Sequence, residues 1–165
     1  MEQERVSFWS VNKDKIKLFV FSLSIAVFSM LSLIGLALPG LVESGTPHSL
    51  RSIVFGGMSG AVEFQSNTYL VVAVVLLIVG FASMIIRIGN IRYLVGAGLY
   101  LAAGIFFFFT RQFSDLSQVF SFGLDTVLGA GAVFTGAMLV ISSVASVVLY
   151  VISFRHSRKV VSTNE

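Results

Sequence analysis

Four long stretches of this chain carry no charged residue: Leu18 to Val42, Phe64 to Ile86, Tyr93 to Thr110 and Thr126 to Phe154. Polar and charged residues fall in short bursts between them, so the pattern alternates by segments rather than by single positions. As a helix rising ~1.5 Å per residue, an apolar run of about 20 residues covers the roughly 30 Å hydrocarbon layer of a bilayer. In hydrocarbon every backbone donor and acceptor needs an internal partner, and a helix supplies all of them itself. The pattern predicts an all-α integral membrane protein: a bundle of four transmembrane helices over about 18–38, 68–87, 93–110 and 126–154. These make one membrane domain, 18–154, between a terminal segment 1–17 and a tail 155–165.

The four runs differ in texture. The first stops at Pro39-Gly40, a pair that does not continue a helix. Ser22, Ala26 and Ser29 recur in it at i, i+4 and i+7 and share a face slim enough for close approach of a second helix. Their hydroxyls can bond across helices or back to their own chain's carbonyls. The second run is almost wholly aliphatic from Val71 to Val79 and sets no face aside for a polar pathway. In the third, Gly98 and Ala102 have small-xxx-small spacing, and Phe106 to Phe109 then put aromatic rings around the whole circumference. The fourth repeats the fourfold spacing with Ala132 and Gly136, and again with Ser142 and Ser146. Only the Arg87–Arg92 link, with Ile88 to Ile91 as a tight turn, separates the second run from the third, which makes those two helices antiparallel neighbours.

The two longer connections have apolar content of their own. In the first, Gly40 to about Asn67, two short apolar stretches flank Gly56-Gly57-Met58-Ser59-Gly60, which predicts a short β-hairpin or a compact glycine-rich turn over residues 53–64. Phe55, Met58 and Phe64 are large side chains for such a place and are expected to fold onto the bundle rim or to meet a partner. In the second, Arg111 to Asp125, Phe113, Leu116 and Phe120 stand at i, i+3 and i+7, with Ser114 as a cap and Gly123 as a stop. This predicts a short amphipathic helix on the membrane surface.

Charge then orients the plan. Of 11 Lys and Arg residues, nine fall in the first segment, the Arg87–Arg92 link and the tail, against Arg51 and Arg111 in the two longer connections. Basic residues mark the cytoplasmic side, so both termini are expected there, in the cell membrane. Val6, Phe8 and Trp9, ahead of Lys13, Lys15 and Lys17, suit an interfacial foot on anionic lipid. The run after the lysines is longer than the roughly 7 to 15 residues of a signal-peptide core and is read as a retained anchor helix. The composition agrees: 56% hydrophobic and 12% charged, where soluble domains are about a quarter charged. The basic residues lie at helix ends rather than along one face, which argues against nucleic acid as a partner.

Chemistry is sparse. Cys is absent, which removes disulfides and thiolate sites. His48 and His156 fall on opposite sides of the membrane, so no two-His site forms within the chain. Glu43, His48 and Glu63 share one connection and are expected as solvated loop residues. The runs contain no ionisable side chain for an ion or proton pathway, and neither a phosphate loop nor a nucleophile triad occurs. No enzyme activity, cofactor or metal is expected.

What remains is surface. The expectation is a structural or accessory subunit whose partners are membrane lipid and other integral membrane subunits or copies of itself. The helix-packing residues would be Ser22, Ala26, Ser29, Gly98, Ala102, Ala132, Gly136, Ser142 and Ser146. The outer contacts would be Phe55, Met58, Phe64, Phe113, Leu116 and Phe120. A short inner loop, a longer first outer loop with β potential and a shorter second one give an outline that resembles the claudin family. The resemblance covers the loop plan alone: the family's first-loop tryptophan motif and cysteine pair do not occur, and the single Trp is Trp9. It implies a self-associating tetraspan surface protein. A third possibility is a channel or carrier for neutral solutes, with Ser22, Ser29, Thr135 and Ser142 as pore residues.

Overall fold

The computed structural model describes the backbone of residues 2–60, 62–86, 89–117 and 125–162, and side chains over 15–60, 62–86, 89–114 and 125–155. The first segment and the first apolar run form one continuous helix, α1 (Glu2–Leu31). Trp9 and the first lysines therefore belong to its opening turns, with side chains outside the described set. A 3-10 turn (Ser32–Ala37) extends it, and Leu38 leaves the helix with φ −97° and ψ 164°. That is the conformation a following proline imposes on the residue before it.

Three further long helices follow: α3 (Thr68–Ile85), α4 (Ile91–Phe108) and α6 (Ala130–Ser162). With the first they make four helices long and apolar enough to cross a membrane. They form a ring in which α1 packs on α3 and α6, and α4 packs on the same two from across the diagonal. Only 28 to 39% of each span's apolar window is buried within the chain, so most of every helix faces outward. The polarity is inverted relative to a soluble bundle. Ser22, Ser29, Thr135, Ser143 and Ser146 are buried, whereas Val20, Val75, Ile105 and Val144 are exposed. Lipid tails are as apolar as leucine and make outward aliphatic side chains costless, so packing and interhelical hydrogen bonds hold such a bundle.

A small head closes the end of the bundle away from the chain termini. β1 (Pro39–Glu43) and β2 (Thr46–Ser49) pair antiparallel around a two-residue turn. Ser44 and Gly45, at φ 47° and 82°, give this turn the two positive φ values that match the strands' twist. Ser49 caps α2 (Leu50–Phe55) by accepting from Ser52 N, and a second hairpin follows, β3 (Gly57–Ser59) with β4 (Val62–Phe64). Ser59 Oγ accepts from Ser49 N at 3.0 Å, and Ser52 Oγ donates to Met58 O at 3.1 Å, which ties this hairpin to α2. The expected hairpin thus lies at the C-terminal part of its range, with Ile53–Phe55 helical instead of extended.

Two expectations are corrected here. Residues 126–129 are not the first turn of the last helix. Val127 and Leu128 form β5, which pairs with Val42 and Leu41 to give a sheet ordered β2-β1-β5. The open edge of β1 offers these residues backbone partners, and Gly129 N donates to Gly40 O at 2.8 Å. The helix of the second connection, α5 (Thr110–Ser117), begins four residues before its expected cap. Phe113 N already donates to Phe109 O at 3.0 Å, so Ser114 lies inside the helix, buried, and is not its cap. Gly123 lies outside the described residues.

Candidate functional site

A joint close enough for backbones to touch brings the 3-10 turn against the start of α6. A Cβ added at Gly131 would collide with Gly35 O and lie 2.8 Å from Leu38 O and 2.9 Å from Pro39 O; one added at Gly35 would collide with Thr135 Oγ1. Thr135 Oγ1 donates to Ser32 O at 3.1 Å across the same joint. Ala132 is buried one residue along, while Gly136 turns to α4, where its Cβ position is 3.0 Å from the Phe108 ring. Gly98 is placed differently. Nothing lies within 4 Å of its Cβ position, and Ala102 on the same face is half-buried.

Hydroxyls sew the rest of the bundle. Ser22 Oγ donates to Met84 O at 2.7 Å and Ser143 Oγ to Ala97 O at 2.8 Å, both between helices. Ser29 Oγ lies 2.7 Å from Ala26 O and 3.0 Å from the Tyr100 hydroxyl, contacts satisfied together when Ser29 donates to the carbonyl and accepts from Tyr100. Ser142 bonds its own helix at Met138 O, and Ser146 bonds Ser142 O at 2.8 Å with Met84 Sδ at 3.9 Å. Of the first helix's three-residue face, all three members are buried. Replacing Tyr100 by Phe keeps the ring and removes one interhelical bond, so a stability loss of about 0.6 kcal/mol is expected, the usual worth of such a bond in a membrane bundle. Unfolding in mixed micelles against rising SDS measures it.

In the head, His48 is not a solvated loop residue: it is 3% exposed. The register sets it opposite Leu41, itself fully buried, so it points into the head's core. Its ring meets Phe64 edge-on at 5.3 Å, and Nε2 lies 3.8 Å from Glu43 Oε2. Glu63 is exposed on β4, and among the described residues no three His, Cys, Asp or Glu side chains gather as a metal would require.

The predicted outer contacts separate. Phe64 is core, whereas Phe55 and Met58 (66% exposed) point away from the molecule. Phe113 stacks between Tyr69 at 4.9 Å and Phe106 at 5.1 Å, which attaches α5 to α3 and α4. Leu116 lies in α5, but its side chain, like the whole of Phe120, is outside the described residues.

Asn67 was missed, although an Asn just before a long apolar run is an N-cap signal. It is fully buried. Its Oδ1 accepts from Tyr69 N and Leu70 N, its Nδ2 donates to Phe113 O at 2.9 Å, and its backbone N donates to Val54 O at 3.0 Å. One side chain thus caps α3 and holds α5. Ser44-Gly45 also carried a signal, a small-residue dipeptide at two-residue hairpin spacing. The Gly35–Gly131 contact carried none, because no periodicity within one helix specifies which residue of another it touches.

These features define a class: four apolar helices in a bundle with its polar groups turned inward, closed at one end by small sheets. No family model matches the chain, and no curated protein or solved structure does either.

Proposed function

We propose that this is a non-catalytic, multi-pass protein of the cell membrane, both termini cytoplasmic, that works as a structural or accessory subunit. Its partners are other integral membrane subunits or copies of itself. The observation that carries this reading is where the polar groups go: Ser22, Ser29, Thr135 and Ser143 spend their hydroxyls on bonds within the chain. An interior committed in this way has little left for solute handling, so the neutral-solute carrier draws the least support. The free features are on the outside. Gly98 lies on a lateral face with open space before it, the kind of surface that lets another helix approach closely. Phe55 and Met58 stand out from the head, which the charge distribution directs away from the cytoplasm.

The claudin-like reading keeps one specific support. β1, in the first longer connection, and β5, directly after the second, share one sheet through their pairing, a head suited to contacts between copies even without cysteines. Purification in mild detergent with mass analysis of all co-migrating chains separates the readings. Foreign chains in constant ratio indicate a subunit, and a whole multiple of this chain's mass indicates self-assembly. A lone monomer at every concentration overturns both. Because its site is open, Gly98→Leu is expected to keep the fold and lower the association constant about tenfold, equivalent to ~1.4 kcal/mol. An unchanged assembly profile removes that face from the proposal.

A further inference from the structure

We infer that the seam between α1 and α6, at the end of the bundle that holds the chain termini, is a binding site for an anionic phospholipid, with an acyl chain in the groove and the phosphate at Lys17. The inference rests on the bundle standing in a bilayer and is independent of the subunit reading.

The two sides of this seam behave differently along its length. Near the head, Gly35 and Gly131 let backbones touch. Toward the termini, Phe21 and Ile25 face Ala145, Val148 and Ile152, and these bulkier side chains leave a groove of about 510 Å³ with Lys17 at its end. From Lys17 to Ile25 is eight residues, about 12 Å along the helix, against the ~15 Å that one leaflet contributes to a 30 Å hydrocarbon layer. The groove therefore runs from headgroup level most of the way to the midplane. Apart from Lys17, every residue lining it is apolar, so nothing inside recognises a polar solute and hydrocarbon is the chemistry that fits.

Charge selects the headgroup. Lys17 is exposed at the groove's polar end. Arg155, three residues beyond Ile152 and so one turn further along that face of α6, is also exposed. Basic side chains at the depth of the phosphates attract anionic over zwitterionic lipid. A lysine's aliphatic stem can follow the groove wall while its ammonium reaches the interface.

The test uses the full chain in detergent micelles, equilibrated with equal amounts of phosphatidylglycerol and phosphatidylcholine of the same acyl chains and read by native mass spectrometry. The wild type is expected to retain phosphatidylglycerol about tenfold over phosphatidylcholine. Lys17→Gln should bring the two lipids to parity, and Ala145→Phe, which fills the groove, should lose both adducts. Val75→Phe, on the outward face of α3, should retain the wild-type pattern. Ile152→Trp gives a second way to fill the groove should Ala145→Phe not fold. Equal retention by the wild type overturns the site, as does a preference that survives Lys17→Gln or adducts that survive both groove-filling variants. Displacement of the lipid by excess inorganic phosphate also overturns it, since a bare anion site needs no acyl chain. A chain recovered without detergent in the soluble fraction overturns the bilayer reading and the site together, whereas detergent-dependent extraction with no lipid preference overturns the site alone.

Discussion

Gly131→Ala is expected to destabilise the bundle by about 3 kcal/mol, the upper part of the range for overpacking a close-packed site, from one added methyl group. The new Cβ would meet three carbonyl oxygens, those of Gly35, Leu38 and Pro39. None of them is the far end of a flexible side chain. Relief requires moving the 3-10 turn away from α6, which also stretches the Thr135–Ser32 hydrogen bond and disturbs Pro39, where β1 begins. The loss should therefore reach the head as well as the span. SDS-induced unfolding in mixed micelles and the yield of monodisperse protein measure it, with Gly98→Ala as the matched control. That control adds the same methyl group where nothing lies within 4 Å and should stay within about 0.5 kcal/mol of wild type, as surface changes do. Equal behaviour of the two variants would contradict the crossing described above.

Asn67→Ala should cost about 2 to 4 kcal/mol, combining a lost helix cap of ~1 kcal/mol with the ~1–3 kcal/mol of a buried group left without its partner. The Phe113 carbonyl loses the donor that holds α5, and the first turn of α3 loses the acceptor for Tyr69 N and Leu70 N. Asn67→Ser tells the two parts apart: serine is a good cap but too short to reach α5, so its cost should fall between wild type and alanine. Amide hydrogen exchange adds a local readout. Both variants should lose protection in α5, while only alanine should also fray the first turn of α3. An alanine variant within 0.5 kcal/mol of wild type would show that Asn67 does not fasten the second connection.

These two residues mark how far the sequence can be read. Asn67 stands directly before the run it caps, and its backbone-capping role is local. Its grip on Phe113 joins positions 46 apart, which no local signal reports. Gly98 and Gly131 look alike in sequence, each a small residue in a small-residue stretch, and helix spacing points to Gly98 because Ala102 follows at i+4. In the folded chain Gly98 faces open space and Gly131 faces three carbonyls. His48 reads as a polar loop residue until β1 and β2 pair, after which the register turns it inward opposite Leu41. Thr126 to Gly129 open a long apolar run and read as helix, yet β1 has an unpaired edge that takes Val127 and Leu128 as a strand.

The sequence by itself determined the four apolar spans, their order and their bounds to within a few residues, although the first helix begins well before its span, at Glu2, and the last runs on beyond it to Ser162. The hydrocarbon layer imposes one length and one composition on any helical span that crosses it, and proline and charge mark where such a span stops, so these properties are written locally. The tertiary structure alone decided which small residues touch, where the buried hydroxyls find partners and how two distant connections become one head. Each of those depends on a pairing such as Ser32 with Thr135, 103 positions apart. Complementary shape and matched donors create that pairing only once the helices stand side by side.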